Sequence, residues 1–217
     1  SDSHQPDLDL ISEPLADILQ TRGNVDLLLV GPIDPGPMLT RFGDRVVHRP
    51  FQPWERLYDQ LAAVDVNLAP LVLPSEFNEA KSAIKWLEAA AVGVPTVASA
   101  SRPFVDAIDD GRTGVLCATA DDWYSSVTSL VDDAMRLRRL GRAARRRAEL
   151  THGPHVTAFA YMACLDELAQ RRDTRRTTTW IDRAPDERAP SAPSLAAYRL
   201  DSGAPRSRHR WWRRRRS

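Results

Sequence analysis

The chain has 217 residues, 42% of them hydrophobic, which is enough to bury one sizeable core, and no apolar run approaches the roughly 18 residues of a membrane-spanning helix. Charge is unevenly placed: residues 1–170 carry 16 basic and 24 acidic side chains, net −8, while residues 171–217 carry 14 arginines and 5 acidic side chains, net +9. An acidic body argues against a nucleic-acid-binding domain, and the polar, acidic residues 1–9 lack the basic and apolar regions of a signal peptide.

Residues 11–21 place Ile11, Leu15, Ile18 and Leu19 at helical spacing, and Gly23 follows as a stop. The run 26–30, Asp-Leu-Leu-Leu-Val before Gly31, suits a buried parallel strand, and 45–48 reads as a second. Residues 54–64 predict a helix entered from Pro53. A strand over 66–69, a helix over 82–92 closed by Gly93, and a strand over 94–98 come next. A short helix over 103–109 and a fifth strand over 114–118 complete the alternation. From Asp121 a helix runs to about Arg138, and two more are expected, divided at Gly141 and at His152-Gly153-Pro154. Alternation of this kind predicts a Rossmann-like, doubly wound parallel sheet over residues 1–170. From Arg171 onward the chain is rich in arginine and proline, without helical or strand period, and reads as a disordered tail. Cys117 and Cys164 lie far apart with no CxxC spacing and read as small buried apolar residues in a reducing compartment, the cytoplasm. The five histidines show no metal-ligand spacing.

The chemically informative stretch is 75–99. A polar loop follows the third strand and enters a helix expected to begin near Lys81-Ser82. Helix N-termini offer free N–H groups and the positive end of the dipole, which attract phosphate, and Lys81 with the Ser82 hydroxyl would stand there. Lys85 and Glu88 follow on the same side, and a carboxylate at Glu88 would accept hydrogen bonds from ribose hydroxyls. The C-terminal edge of the sheet is where doubly wound folds bind ligands. The same spacing equally describes Ser82 as a helix cap and Lys85 with Glu88 as a solvated pair.

The phrase Glu88-Ala89-Ala90-Ala91-Val92-Gly93-Val94-Pro95-Thr96-Val97 resembles the E-A-x-A-x-G-x-P-x-V signature of retaining GT-B glycosyltransferases of family 4. Ordered matches extend the resemblance: 26–31, 45–53, 61–66 (Leu-Ala-Ala-Val-Asp-Val), 110–116 (Asp-Gly-Arg-Thr-Gly-Val-Leu) and 140–144 (Leu-Gly-Arg-Ala-Ala). It covers about residues 1–168. One departure is clear. The acidic residue eight places before Glu88 is replaced by Ala80, and Asn78-x-x-Lys81-Ser82-x-x-Lys85-x-x-Glu88 resembles a subgroup with a Lys-Ser phosphate grip instead.

The resemblance implies the donor-binding, C-terminal half of a GT-B enzyme, holding a nucleoside-diphosphate sugar as donor substrate with no cofactor and no metal. It implies donor diphosphate on Asn78, Lys81, Ser82 and Ser3, ribose on Glu88, and the base near Phe51 and Gln52. Glu79 and Lys85 are candidate sugar contacts. Family members face this domain with an N-terminal domain that carries the acceptor and the main catalytic groups, so a partner domain in cis or trans is expected, for glycan biosynthesis by a retaining hexosyltransferase. The family's donor domain also opens on a strand ahead of the Ser1 loop. Without it the strands over 26–30 and 66–69 either flank a gap or pair directly. A non-catalytic nucleotide-binding module and a GT-B sugar epimerase are the competing readings. The arginine-rich tail, with Trp211-Trp212, suits contact with anionic lipid or nucleic acid, and equally suits a tail with no role.

Overall fold

The structure, a computed structural model, describes residues 4–174. They divide into two units: one ends at Gly153, and the other begins at Pro154 with the single helix α9 (Pro154–Thr174). The expected arginine- and proline-rich disordered tail lies almost wholly outside the described residues, apart from 171–174 at the end of α9.

The first unit opens with α1 (Gln5–Thr21), which begins six residues before its apolar period. Pro6 stands in its first turn, where the missing N–H costs nothing. Leu8, Ile11, Leu15, Ile18 and Leu19 form one buried stripe, each contributing about 2 kcal/mol by the area it removes from water. The helix end is closed from a distance. The Arg45 guanidinium donates to the carbonyls of Leu19 (2.8 Å), Arg22 (2.6 Å) and Val25 (2.6 Å). A cation on carbonyls at and just past a helix end supplies donors to acceptors that the intrahelical ladder leaves open.

Strand β1 (Leu27–Val30) pairs in parallel with β2 (Val46–Arg49), the short helix α2 (Gly36–Thr40) lying between them in sequence. The helix expected over 54–64 is shorter: a 3-10 turn at Trp54–Arg56, then α3 (Leu57–Leu61). Strands β3 (Asn67–Ala69), β4 (Thr96–Ser99) and β5 (Val115–Cys117) form a second parallel sheet in the order β3-β4-β5. No ladder joins β1 to β3, so these two strands do not pair directly. The single doubly wound sheet is thus two parallel pieces.

One core still spans both pieces. Side chains of α1, Leu27 and Leu29 of β1, Val97 of β4, Val115 and Cys117 of β5, and Trp123, Val127 and Leu130 of α7 (Ala120–Asp132) make a single cluster. A second cluster lies against the other face: Ala69, Leu71, Ala98, Trp86 and Ala90 of α5 (Ile84–Ala91), Phe104 of α6 (Arg102–Ala107), and Ala144 and Ala148 of α8 (Ala134–His152). Successive side chains of a strand point to opposite faces, so Val97 enters the first cluster and Ala98 the second. This is the doubly wound arrangement that the alternating elements predict.

Two expectations need correction. The break after α7 falls at Asp133, whose carboxylate caps α8 by accepting from Met135 N and Arg136 N, both at 2.9 Å. Gly141 is interior to α8, not a divider. It is buried, and a Cβ built there overlaps the Gly93 carbonyl oxygen, so only glycine allows α8 to lie this close to the end of α5. Gly93 itself has φ +77, a conformation suited to glycine. Secondly, both cysteines are free, but only Cys117 is buried. Burial pushes its thiol up to about 11, while Cys164 is exposed.

Candidate functional site

The site is built on the segment between β3 and α5, which begins at the C-terminal end of a strand. The Ser99 hydroxyl, at the C-terminal end of the buried β4, accepts from Leu71 N (2.8 Å) and donates to Leu71 O (2.9 Å), pinning the first residues after β3. Next, Val72 N donates to the buried carboxylate of Asp7 on α1 at 3.0 Å, and the Asn78 amide donates to Val72 O at 2.8 Å. The chain passes a cis Leu73–Pro74 bond and enters the short helix α4 (Glu76–Glu79). Ser75 caps α4, accepting from Asn78 N. Asn78, expected on the donor diphosphate, is buried here and its amide is spent on Val72 O, which latches the loop.

Helix α5 starts at Ile84, two to three residues later than the sequence suggests. Lys81 and Ser82 therefore stand in the turn between α4 and α5. Ser82 is exposed, and no side chain caps α5. The alternative of Ser82 as a helix cap is thereby removed. The Lys81 ammonium lies 3.9 Å from Asp7 Oδ2 and 5.0 Å from the centre of the Phe77 ring. Glu79 turns its carboxylate to Arg102 N at the start of α6, 2.7 Å away.

Lys85 and Glu88 occupy successive turns of α5 and are both half-buried. Burial lowers the Lys85 pKa from its ordinary 10.5; Asp7 and Glu88 oppose that shift and Lys81 adds to it. Burial also raises the Glu88 pKa above its ordinary 4.5, with Lys85 pulling it back. Two ammonium groups and two carboxylates thus act on one another, so Lys85 and Glu88 are not the fully solvated pair of the alternative reading. Glu88 lies outside the packed clusters and remains accessible.

Helix α5 is held firmly behind these groups. Trp86, 1% exposed, donates its indole N–H to Thr113 O at 3.0 Å. The Asn67 amide on β3 donates to Lys85 O (3.1 Å) and to Thr96 Oγ1 (3.1 Å). Phe51 and Gln52 lie in the loop after β2. Phe51 is exposed, and Gln52 donates only to Pro50 O, at 3.3 Å. No hydrogen bond among the described residues ties them to Lys81 or Glu88, but α3, which follows their loop, packs on α5. Ser3 lies outside the described residues. Asp7 was not foreseen as part of the site. The only signal available for it was an acidic residue directly after Pro6.

Parallel strands with helices on both faces form the Rossmann-like arrangement of one half of a GT-B fold. The chain belongs to the glycosyl transferases group 1, whose family profile matches residues 3–133. A D-inositol 3-phosphate glycosyltransferase of Paenarthrobacter aurescens (strain TC1) is 36% identical over 108 residues, 49% of this chain and 25% of that protein. Among solved structures, HepE of Anabaena in complex with UDP-glucose aligns at TM-score 0.54 and 17% identity, over 71% of this chain and 44% of that one. The C-terminal domain of LpcC, a glycosyl transferase group 1 family protein of Francisella tularensis, aligns at TM-score 0.55 and 11% identity, over 70% of this chain and 80% of that domain. These structural likenesses establish the fold. The chain spans a quarter or less of the length of the curated relatives it matches, 25%, 18% and 22%.

Proposed function

We propose that this chain binds the donor of a sugar transfer, a nucleoside-diphosphate sugar, and acts with a second, acceptor-binding domain supplied in cis or in trans. The observation that carries this reading is the convergence of Lys81, Lys85 and Glu88 beside the loop that leaves β3. Lys81, Ser82 and Lys85 supply cations and a hydroxyl donor to the diphosphate, on which charge-assisted bonds are short and strong. Glu88, one turn beyond Lys85, accepts from the ribose hydroxyls. Phe51 and Gln52 border the base, and Glu79 with Lys85 lies toward the sugar. The complex of HepE with UDP-glucose and the partial coverage of longer relatives both support the reading. The chain's place is proposed to be the cytoplasm, with the arginine-rich residues beyond 174 against an anionic membrane surface.

Titrating the protein with UDP, GDP and dTDP tests the core of this. At least one binds, and Lys81→Ala and Glu88→Ala each weaken that binding about tenfold, the scale of one charged hydrogen bond lost. Unchanged affinity in both variants would remove the site. Adding an acceptor domain in trans and assaying sugar transfer then separates a transferase from a module that only binds nucleotide.

The same groups give the pH dependence of binding a sign. Ionised Glu88 accepts from the ribose hydroxyls with both oxygens and more strongly than the neutral acid, and its pKa is raised, so affinity climbs with pH until that raised value is passed. Lys85 must be charged to hold phosphate, and its pKa is lowered, so affinity falls again below the ordinary 10.5. Calorimetric titrations across this range are expected to show an alkaline limb that Lys85→Gln abolishes. A limb unchanged by Lys85→Gln would show that another group sets it.

A further inference from the structure

Asp7 is a buried carboxylate beside Lys81, one of the cations of the proposed donor site. It is 3% exposed, yet its two oxygens face three donors: Val72 N at 3.0 Å on Oδ1, and His4 Nδ1 at 3.2 Å with Lys81 Nζ at 3.9 Å on Oδ2. Its charge reaches Lys85 as well. A buried carboxylate needs such partners, because desolvation without them is costly. Here its partners include a lysine that the donor site also requires. We propose that Asp7 is a built-in counter-ion of the donor diphosphate site, occupying Lys81 in the free protein and opposing the charge of a bound diphosphate. This rests on the donor-binding reading above and adds to it a residue that sets how tightly the donor is held.

The physical argument has two parts. One oxygen of Asp7 ties α1 to the loop after β3, a role that a neutral amide oxygen fills equally well. The other brings the carboxylate's charge, shared by both oxygens, within reach of Lys81, and like charges near one cation in a half-buried setting repel strongly. Asp7 is therefore a positioning residue with a charge penalty, and the two roles separate on substitution. Asp7→Asn keeps an acceptor for Val72 N and removes the charge.

The test titrates the whole chain with inorganic pyrophosphate and with UDP, comparing wild type with Asp7→Asn and with Asp7→Ser, and checking each fold by its thermal melt. The expected result is binding about tenfold tighter in the neutral variants, a gain that shrinks when Lys81→Gln is combined with them. A purely structural role would give weaker or equal binding and a lower melting temperature. Equal or weaker binding in a neutral variant that melts cooperatively, with wild type still binding UDP, overturns the role of Asp7 and leaves the donor reading standing. Absence of binding in wild type and variants alike overturns both.

Discussion

Trp86→Ala is expected to lower stability by about 4 kcal/mol, within the range for truncating a buried tryptophan in a core that collapses only partly. Trp86 is 1% exposed and fills the second cluster between Ala69, Phe104, Ala144 and neighbouring residues. Its indole N–H is also spent on Thr113 O, and the T-shaped contact with His152, centroids 6.4 Å apart, joins the last turn of α8. Truncation leaves a cavity and an unpaired carbonyl in the turn 110–114. Urea unfolding followed by circular dichroism gives the magnitude. Trp86→Phe serves as the control: it keeps most of the volume and loses the hydrogen bond, and should cost about 1–2 kcal/mol. Because Lys85 and Glu88 flank Trp86 on the same helix, the alanine variant should also lose nucleotide affinity, whereas the phenylalanine variant should keep most of it. A loss below about 1 kcal/mol for Trp86→Ala would mean that α5 is not anchored through this side chain.

Gly141→Ala is expected to cost about 3 kcal/mol, at the upper end for overpacking, although alanine is the better helix former by about 1 kcal/mol. The sign is decided by the neighbour. The added methyl meets the backbone carbonyl of Gly93, and backbone does not swing aside as the end of a flexible side chain does. Gly93 cannot yield easily either, since its N–H donates to Ala90 O at 2.9 Å and Val94 N donates to Ala89 O at 3.0 Å. The outcome is an outward shift of α8 from α5, read as a lower urea midpoint. A neutral or stabilising Gly141→Ala would show that the two helices do not approach this closely. The exposed Arg142, next in sequence, provides the comparison: Arg142→Ala should change stability by less than about 0.5 kcal/mol.

Much of the fold was legible because strand and helix periods are local. Every strand sits within two residues of its expected position, and Gly93 closes α5 as its sequence context indicates. What escaped detection depended on distant partners. The first six residues of α1 lie ahead of the helical period that starts at Ile11, because Gln5, Asp7 and Asp9 dilute the apolar stripe there. Gly141 looked like a helix divider because glycine usually is one, and its real cause, Gly93, lies far away in sequence. The site was legible in its residue types, Lys81, Lys85 and Glu88, but not in its geometry. The small helix α4 and the turn after it push the start of α5 to Ile84, and no period in 75–83 announces that. Asp7 could not have been assigned from sequence at all, since it joins the site only through Val72 and Lys81.

The bond from Val72 N to Asp7 also sets what the site can sense. Asp7 rides on the helix of one core, and Lys81 through Glu88 ride on the segment that belongs to the other. On the proposed reading, a donor would be attracted from one layer, by Lys81 through Glu88, and opposed from the other, by Asp7. Its net hold would then depend on how the two layers are aligned: drawing Asp7 back would tighten it, and loosening the lysine-bearing segment would weaken it.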